Sequence, residues 1–197
     1  MFTINIKLRF ALMAVLIVGG ILLSIVYGFW YGFPFWLTGL ILLVGYILLG
    51  TVQSAAQLVQ AQQLEAARER LELTFKPEWL YTANRAYYYL IKGTIAVQTQ
   101  QLSEAEGHFN KSLEIGLPSD NERAMVHMQL ANIAASKSNW TAAKRHMRET
   151  KQLNVTEPMM KQQLAEMEKA MKQQGQMKHM NRPGAHRRGF RQKPRRK

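Results

Sequence analysis

The chain has 197 residues, no cysteine and a formal net charge of +13. The lack of cysteine excludes disulfides, thiolate metal sites and a thiol nucleophile, and the length allows one modest soluble domain beside any membrane segment. The charge is uneven: Lys7 and Arg9 contribute +2, residues 65–168 hold thirteen acidic and thirteen basic residues, and eleven Lys and Arg follow Glu168.

Residues 10–64 contain no Asp, Glu, Lys or Arg and include two apolar runs, 10–30 and 34–52. A hydrocarbon core about 30 Å thick requires roughly 20 apolar residues in a helix, and both runs are long enough. Because a lipid-facing segment satisfies its own backbone, we predict two transmembrane helices within 10–52. A cleaved signal peptide is the alternative, but no small-residue cleavage site follows Val26. A buried hairpin is disfavoured because the remaining chain is too short to enclose it.

The segment between the runs predicts one face of the membrane. Residues 28–33 form the predicted turn, and Pro34 suits the first position of the second helix. Rings that favour the headgroup level surround the turn: Tyr27, Phe29, Trp30, Tyr31, Phe33, Phe35 and Trp36. Lys7 and Arg9 flank the opposite end, so the Lys/Arg bias places residues 1–9 and the C-terminal part in the cytoplasm. The predicted location is a bacterial plasma membrane.

Four glycines within the spans could permit close approach of neighbouring helices. They are Gly19, Gly20, Gly39 and Gly45. This pattern raises the further hypothesis that the hairpin contacts other spans in a larger assembly.

Residues 53–76 continue a helical pattern beyond the second run. Leu, Val and Ala alternate with Gln and charged residues, and no Pro or Gly interrupts residues 51–75. We therefore predict that the second span continues into the cytoplasm as a stiff helical neck. Pro77 marks its end.

The stretch 77–173 predicts several antiparallel helices. An aromatic segment, 78–99, is followed by Ser103 and Glu106, a capping-box pattern for a helix that ends near Ile115. Two further helices are predicted at 121–137 and 140–151.

Thr156 is the predicted cap of a last helix, with Pro158 in its first turn. The apolar stripe of this helix consists of Met160, Leu164, Met167 and Met171.

Two helix pairs align when Ala105 is placed over Ala143. The same alignment matches Gly93 with Ala131, Leu102 with Trp140, Phe109 with Met147 and Ser112 with Thr150. In each pair a small residue precedes the Ala by twelve positions, a large apolar residue follows it by four, and Pro118 or Pro158 closes the unit. Small residues permit close helix packing, and the large residue fills the adjacent space.

This pattern resembles the tetratricopeptide repeat (TPR) over about residues 85–158. The step from Ala105 to Ala143, which we call the repeat interval, is thirty-eight positions. It is longer than the usual interval of the family, with 118–121 as a loop insertion, and Lys92 replaces the usual Leu. Two units are fewer than such arrays need, so the helix through Trp79 and the last helix are expected to cover the exposed ends. The alternative is a generic antiparallel helical bundle.

The resemblance implies an inner surface formed by the first helix of each pair. Its predicted residues are Tyr87, Leu90, Thr94 and Gln98 in one pair and Met128, Asn132 and Ala135 in the other. Members of the family commonly hold an extended peptide or a helix there. Leu90 and Met128 occupy the Lys positions of the carboxylate clamp that some relatives use, so a more apolar ligand is expected. Packing of these residues against the neck or the terminal helices is the alternative.

The C-terminal segment 174–197 is rich in Lys, Arg, Gly and Pro. This composition predicts a tail that is disordered when free. Its cationic end consists of Arg187, Arg188, Arg191, Lys193, Arg195, Arg196 and Lys197. RNA, as in a ribosome, and the anionic inner leaflet are the two acidic partners that it fits. A solubilising tail with no fixed partner is the alternative.

No phosphate-binding glycine loop, nucleophile elbow or metal motif is found in the sequence. We therefore predict no catalytic, cofactor-binding or metal site, no small-molecule substrate, and a protein that is not an enzyme. The predicted fold is all-α: a transmembrane helical hairpin, a cytoplasmic TPR-like domain and a disordered basic tail. The predicted function is a membrane-anchored adaptor for a protein partner. The alternative is a membrane receptor for ribosomes, RNA or anionic lipid that acts through the tail.

Overall fold

The computed structural model describes residues 6–49 and 51–180, and the described residues contain helices and no strand. The all-α class is confirmed. The α-helices of the described residues are α1 (Ile6–Tyr27), α2 (Phe29–Leu49), α3 (Val52–Gln60), α4 (Leu64–Glu72), α5 (Thr82–Gln98), α6 (Leu102–Ile115), α7 (Asp120–Ser136), α8 (Trp140–Gln152) and α9 (Pro158–Met180). A 3₁₀ helix, Pro77–Trp79, precedes α5. The predicted helix through Trp79 is therefore wrong, and with Trp79 50% exposed this segment does not cover an end of the repeats. The chain divides into two compact units, Met1–Leu117 and Pro118–Lys197.

A single residue, Gly28, connects α1 to α2. Its φ of 95° is a left-handed conformation that glycine adopts without steric cost, and it reverses the chain by itself. The predicted turn at 28–33 is therefore wrong, because α2 already begins at Phe29. Pro34 lies inside α2 and not at its first position, so one hydrogen bond of the helix is absent there.

The helices α1 and α2 form an antiparallel hairpin in which facing residues are equally distant from Gly28. The facing pairs are Phe10 with Tyr46, Ile17 with Gly39, Gly20 with Trp36, and Ser24 with Gly32. A Cβ at Gly20 would lie 2.9 Å from the Trp36 Cβ, and one at Gly39 would lie 2.6 Å from Ile17 Cγ1. Gly19 and Gly45, also expected to permit close approach, have open space beside them, whereas Gly32 is in close contact.

The predicted continuous neck is wrong, because residues 52–72 form two antiparallel helices, α3 and α4. The chain reverses at Gln62, whose φ is 60°. The backbone N–H of Gln63 donates to the Leu58 carbonyl at 2.9 Å, as in the Schellman motif that ends many helices. Ala55 and Ala67 are fully buried, which lets the two helices pack closely.

The hairpins α5–α6 and α7–α8 follow the predicted order, but the helix starts differ in detail. The first residue of α6 is Leu102 and its cap is Gln101, so the prediction that Ser103 caps this helix is wrong. The capping box lies instead at Ser119 and Glu122, at the start of α7. The prediction that Thr156 caps α9 is wrong, because Thr156 lies two residues before the helix and its N–H donates to Asn121 Oδ1 at 2.9 Å.

The last described helix, α9, extends to Met180. The prediction of a disordered tail is therefore wrong for residues 174–180, which belong to this helix. The predicted stripe of Met160, Leu164, Met167 and Met171 is half-buried. The cationic end of the tail, 187–197, lies outside the described residues.

Candidate functional site

The three helical hairpins α3–α4, α5–α6 and α7–α8 share one turn, which recurs at the repeat interval. The turn residues Gln62, Gln100 and Ser138 have φ values of 60°, 62° and 59°. In each turn the next N–H donates to the carbonyl five residues earlier, at 2.8 to 2.9 Å. The hairpins therefore reverse the chain through the same backbone geometry.

Buried side chains recur at the same spacing between the paired helices. The first helix of each hairpin carries Ala55, Gly93 or Ala131, and the second carries Ala67, Ala105 or Ala143; all six are buried. Four residues after the second set come Leu71, Phe109 and Met147, which are also buried. Each hairpin thus packs small residues against small residues beside one large apolar side chain.

The repeating pattern extends to α3–α4, a hairpin that was not predicted from the sequence. Ala67 precedes Ala105 by one repeat interval, and Leu71 precedes Phe109 by the same distance. These matches are visible in the sequence. The absence of Pro and Gly from this region nevertheless predicts one uninterrupted helix. Under that prediction the matches of Ala67 and Leu71 to the later hairpins are not recognised as a repeat.

A buried hydroxyl also recurs near the end of each second helix. The three residues are Thr74, Ser112 and Thr150. Ser112 Oγ donates to the Ala86 carbonyl of α5 at 2.9 Å, and so ties the end of α6 to the start of α5. Thr150 donates instead to the Met147 carbonyl within α8, at 2.8 Å.

Helix α9 begins one repeat interval after α7, which itself begins one repeat interval after α5. It packs against α7 as a first helix of a further hairpin would. At the position of Gly93 and Ala131, however, α9 carries the exposed Lys169. A long charged side chain there prevents close approach of another helix. The last described helix, α9, thus keeps the repeat register but lacks the small residue of the earlier first helices.

The predicted inner-face residues of the first unit lie along one face of α5, at Tyr87, Leu90, Thr94 and Gln98. Leu90 is buried, so its side chain contributes to packing. Tyr87 and Thr94 are half-buried, and Gln98 is exposed. The Thr94 hydroxyl donates to the Leu90 carbonyl at 3.0 Å. The accessible part of this face is therefore its C-terminal end.

The predicted residues of the second unit lie on α7. Met128 and Ala135 are half-buried, and Asn132 is exposed. The two sets belong to different compact units, α5 to the first and α7 to the second.

A histidine pair connects α7 to α8. His127 Nδ1 and His146 Nδ1 lie 3.2 Å apart. One ring therefore donates a hydrogen bond and the other accepts it. Burial lowers the pKa of His127 below its usual value; Glu149 opposes this shift and Arg145 adds to it. The pair therefore favours a neutral His127. Tyr89 and His108 occupy the same positions in α5–α6, with ring centroids 6.1 Å apart.

A lysine from α8 links α9 to that helix. Glu168 of α9 accepts a hydrogen bond from Lys151 Nζ of α8 at 2.9 Å, and Lys172 Nζ lies 3.0 Å from the same oxygen. These hydrogen bonds lower the pKa of the Glu168 carboxyl. A shallow groove beside this link is lined by Met147, Val155 and Leu164.

The α1–α2 hairpin presents a large apolar surface to its surroundings. The exposed fractions of Val15, Ile25 and Trp30 are 70%, 76% and 81%. Only 11% of the residues in the most apolar window of each helix are buried. Both helices are long and apolar enough to cross a membrane.

Within the ranges 6–49 and 51–180, no three His, Asp or Glu residues lie close enough to hold a metal ion. Comparison of the chain with known protein families, with curated proteins and with solved structures finds no match.

Proposed function

We propose that this protein is a membrane-anchored adaptor. In this proposal α1 and α2 cross the bilayer, and the helical hairpins bind a protein partner at the cytoplasmic face. The observation that carries the proposal is the exposed apolar surface of α1 and α2. A surface of this size without charge requires a covering, and a bilayer covers both helices along their whole length.

The proposed orientation has both termini in the cytoplasm and Gly28 on the outside of a bacterial plasma membrane. It is supported by Lys7 and Arg9 at one end of the hairpin and by uncharged aromatic residues around Gly28 at the other. The cysteine-free chain permits a direct test. A cysteine at Tyr31 should react with a membrane-impermeant maleimide on intact cells, and one at Lys137 should react only after lysis. The reverse pattern contradicts the orientation.

We assign the hairpins to the TPR type of helical repeat. The shared turn, the small buried residues and the constant repeat interval support this assignment. The positions that hold ligands in that family correspond here to the α5 and α7 faces. Neither clamp position carries a lysine: Leu90 is buried in the packing of the domain, and Met128 is half-buried and offers an apolar contact. The proposed ligand is therefore an apolar extended segment or amphipathic helix of a partner protein, and not a free carboxyl terminus.

Photo-crosslinking from native membranes tests the adaptor function. A benzophenone amino acid at Gln98 or Asn132 should crosslink to a defined partner, because both positions are exposed. Lys144, exposed on α8, is the control position and should give no such product. Crosslinks that survive deletion of residues 181–197 and treatment with nuclease support the adaptor. Equal products from all three positions contradict it.

A receptor for ribosomes or RNA is the second candidate. It is favoured by the eleven Lys and Arg that follow Glu168 without an acidic residue. Association through phosphates weakens steeply with salt. Ribosomal RNA that co-purifies at low salt, and is lost on deletion of residues 181–197, would support this function. Binding of the tail to anionic vesicles alone would indicate a lipid contact instead.

A further inference from the structure

The segment between α4 and α5 carries exposed apolar side chains that nothing in the proposed function uses. We name residues 73–81 the interface loop. The exposed fractions of Phe75, Trp79 and Tyr81 are 69%, 50% and 64%, and Leu73 is 46% exposed. The rings of Phe75 and Trp79 pack together with centroids 5.5 Å apart. The loop therefore presents an exposed aromatic pair, Phe75 and Trp79, with Leu73 and Tyr81 exposed before and after it in the chain.

Hydrogen bonds fix the interface loop to the C-terminal end of α2. The backbone N–H of Tyr81 donates to the Leu48 carbonyl at 2.8 Å, and Asn84 Nδ2 donates to the Leu49 carbonyl at 3.0 Å. The Tyr46 hydroxyl donates to the Leu73 carbonyl. The last carbonyls of a helix have no partner within it. These bonds supply partners for two of them and hold the loop beside the last turn of α2.

The charges of the loop are balanced locally. Lys76 Nζ lies 5.0 Å from the centre of the Trp79 ring, in cation–π contact. Glu72 and Glu78 flank this lysine in the sequence. The loop consequently lacks the excess of positive charge that would bind anionic headgroups.

We propose that the interface loop binds the bilayer surface as a third membrane contact, separate from the two spans. This inference rests on the proposed function, because α2 has to end at the membrane boundary. Aromatic side chains with polar tips favour that boundary, and a lysine stem can extend its ammonium into water. The loop lies where α2 ends, so its rings are placed at this depth. Together with α2, it holds the α3–α6 part of the unit against the bilayer.

Single cysteines in the cysteine-free chain, labelled with the environment-sensitive fluorophore NBD, test the contact in phosphatidylcholine proteoliposomes. Labels at Val15 and Phe75 should emit at a shorter wavelength than a label in water, and nitroxide lipids should quench their fluorescence. A label at Asn110, exposed on α6 of the same unit, should instead be quenched by aqueous iodide. Aromatic burial and not charge supports the proposed contact. The emission wavelength and the nitroxide quenching of the label at Phe75 should therefore be unchanged in 0.5 M salt, where the Debye length is only about 3–8 Å and charge interactions are screened.

The outcomes separate the two proposals. If Val15 is protected while Phe75 is as accessible as Asn110, the interface loop is not a membrane contact and the spans stand. If Val15 is accessible to iodide, the membrane anchor itself is wrong, and this inference fails with it.

A substitution at Trp79 guards against insertion caused by the label. With NBD at residue 75, Trp79→Glu should abolish lipid quenching, whereas Trp79→Phe should retain it. Circular dichroism should be the same for both variants. Equal lipid quenching in the two variants overturns the proposal.

Discussion

Gly93 of α5 packs directly against the ring of Phe109 of α6, and a Cβ at residue 93 would lie 2.6 Å from two carbons of that ring. The same positions hold Ala55 with Leu71 in α3–α4 and Ala131 with Met147 in α7–α8. Glycine occurs in the hairpin whose partner residue is aromatic, and alanine occurs in the other two. The smaller residue in the first helix thus makes room for the larger ring in the second helix.

The variant Gly93→Ala should destabilise α5–α6, because the ring cannot move away without shifting its neighbours. Overpacking lowers the free energy of unfolding by about 1–3 kcal/mol. The better helix propensity of alanine offsets up to about 1 kcal/mol of this loss. The double variant Gly93→Ala with Phe109→Met copies the α7–α8 pair and should recover stability. Thermal unfolding of the full chain in detergent measures both variants beside the parent chain. A double variant less stable than Gly93→Ala alone contradicts the register between hairpins.

Leucine at Gly20 should separate α1 from α2, whereas leucine at Gly19 should be tolerated. The first site faces Trp36 at close range, and the second has open space beside it. The expected penalty at Gly20 is roughly 1–3 kcal/mol. Cysteines at Phe10 and Tyr46, whose ring centroids are 4.9 Å apart, report the hairpin through a short bismaleimide. Equal crosslinking yields in the two leucine variants would argue against the described packing.

Glycine at the left-handed turn residue Gln62 should stabilise α3–α4. The left-handed conformation costs a residue with a side chain about 1–2 kcal/mol, and glycine avoids this cost. The greater entropy of glycine in the unfolded chain offsets part of the gain. We expect a net gain of about 0.5–1 kcal/mol from these two effects. Gln57→Gly, at an exposed site within α3, is the matched control and should lose about 0.5–1 kcal/mol. Amide hydrogen exchange of α3 and α4 measures both changes, and a loss at both positions contradicts the prediction.

The α7–α8 hairpin should become less stable in mild acid because of His127. Burial lowers its pKa in the folded chain, so the unfolded chain takes up the proton more readily. Stability is complete above the unfolded value of 6.5 and falls as the pH decreases toward the folded pKa. His127→Tyr, which copies Tyr89 of α5–α6, should weaken this dependence. Hydrogen exchange of α7 at about pH 7.5 and about pH 5, corrected for intrinsic rates, makes the comparison; an unchanged dependence would exclude His127 as its source.

The helical class and the membrane-length hairpin were predictable, because apolar runs and 3.6-residue periodicity are properties of the sequence itself. The register between Ala105 and Ala143 was also visible there. The division of the neck into α3 and α4 was not predicted, since a glutamine in a left-handed turn carries no local signature. Ala67 and Leu71, in register with Ala105 and Phe109, were the available indication.

The details of helix starts depended on tertiary contacts that a local pattern does not contain. Ser103 and Glu106 match the capping-box pattern, yet Gln101 caps α6, because the shared turn fixes where the second helix begins. The interface loop likewise depends on the carbonyls of Leu48 and Leu49. These residues are more than thirty positions away from the groups that bind them, Tyr81 and Asn84.

The lysine at position 169 has a consequence for how such an array can grow. A neighbouring helix can pack closely only where the chain offers a methyl group or a hydrogen, as at Ala55, Gly93 and Ala131. In a fourth helical hairpin, the lysine side chain at this position would keep the two helices apart, because its ammonium group stays hydrated. This lysine therefore disfavours close packing of a further helix against α9, and replacing it with alanine would be the first step in lengthening the array.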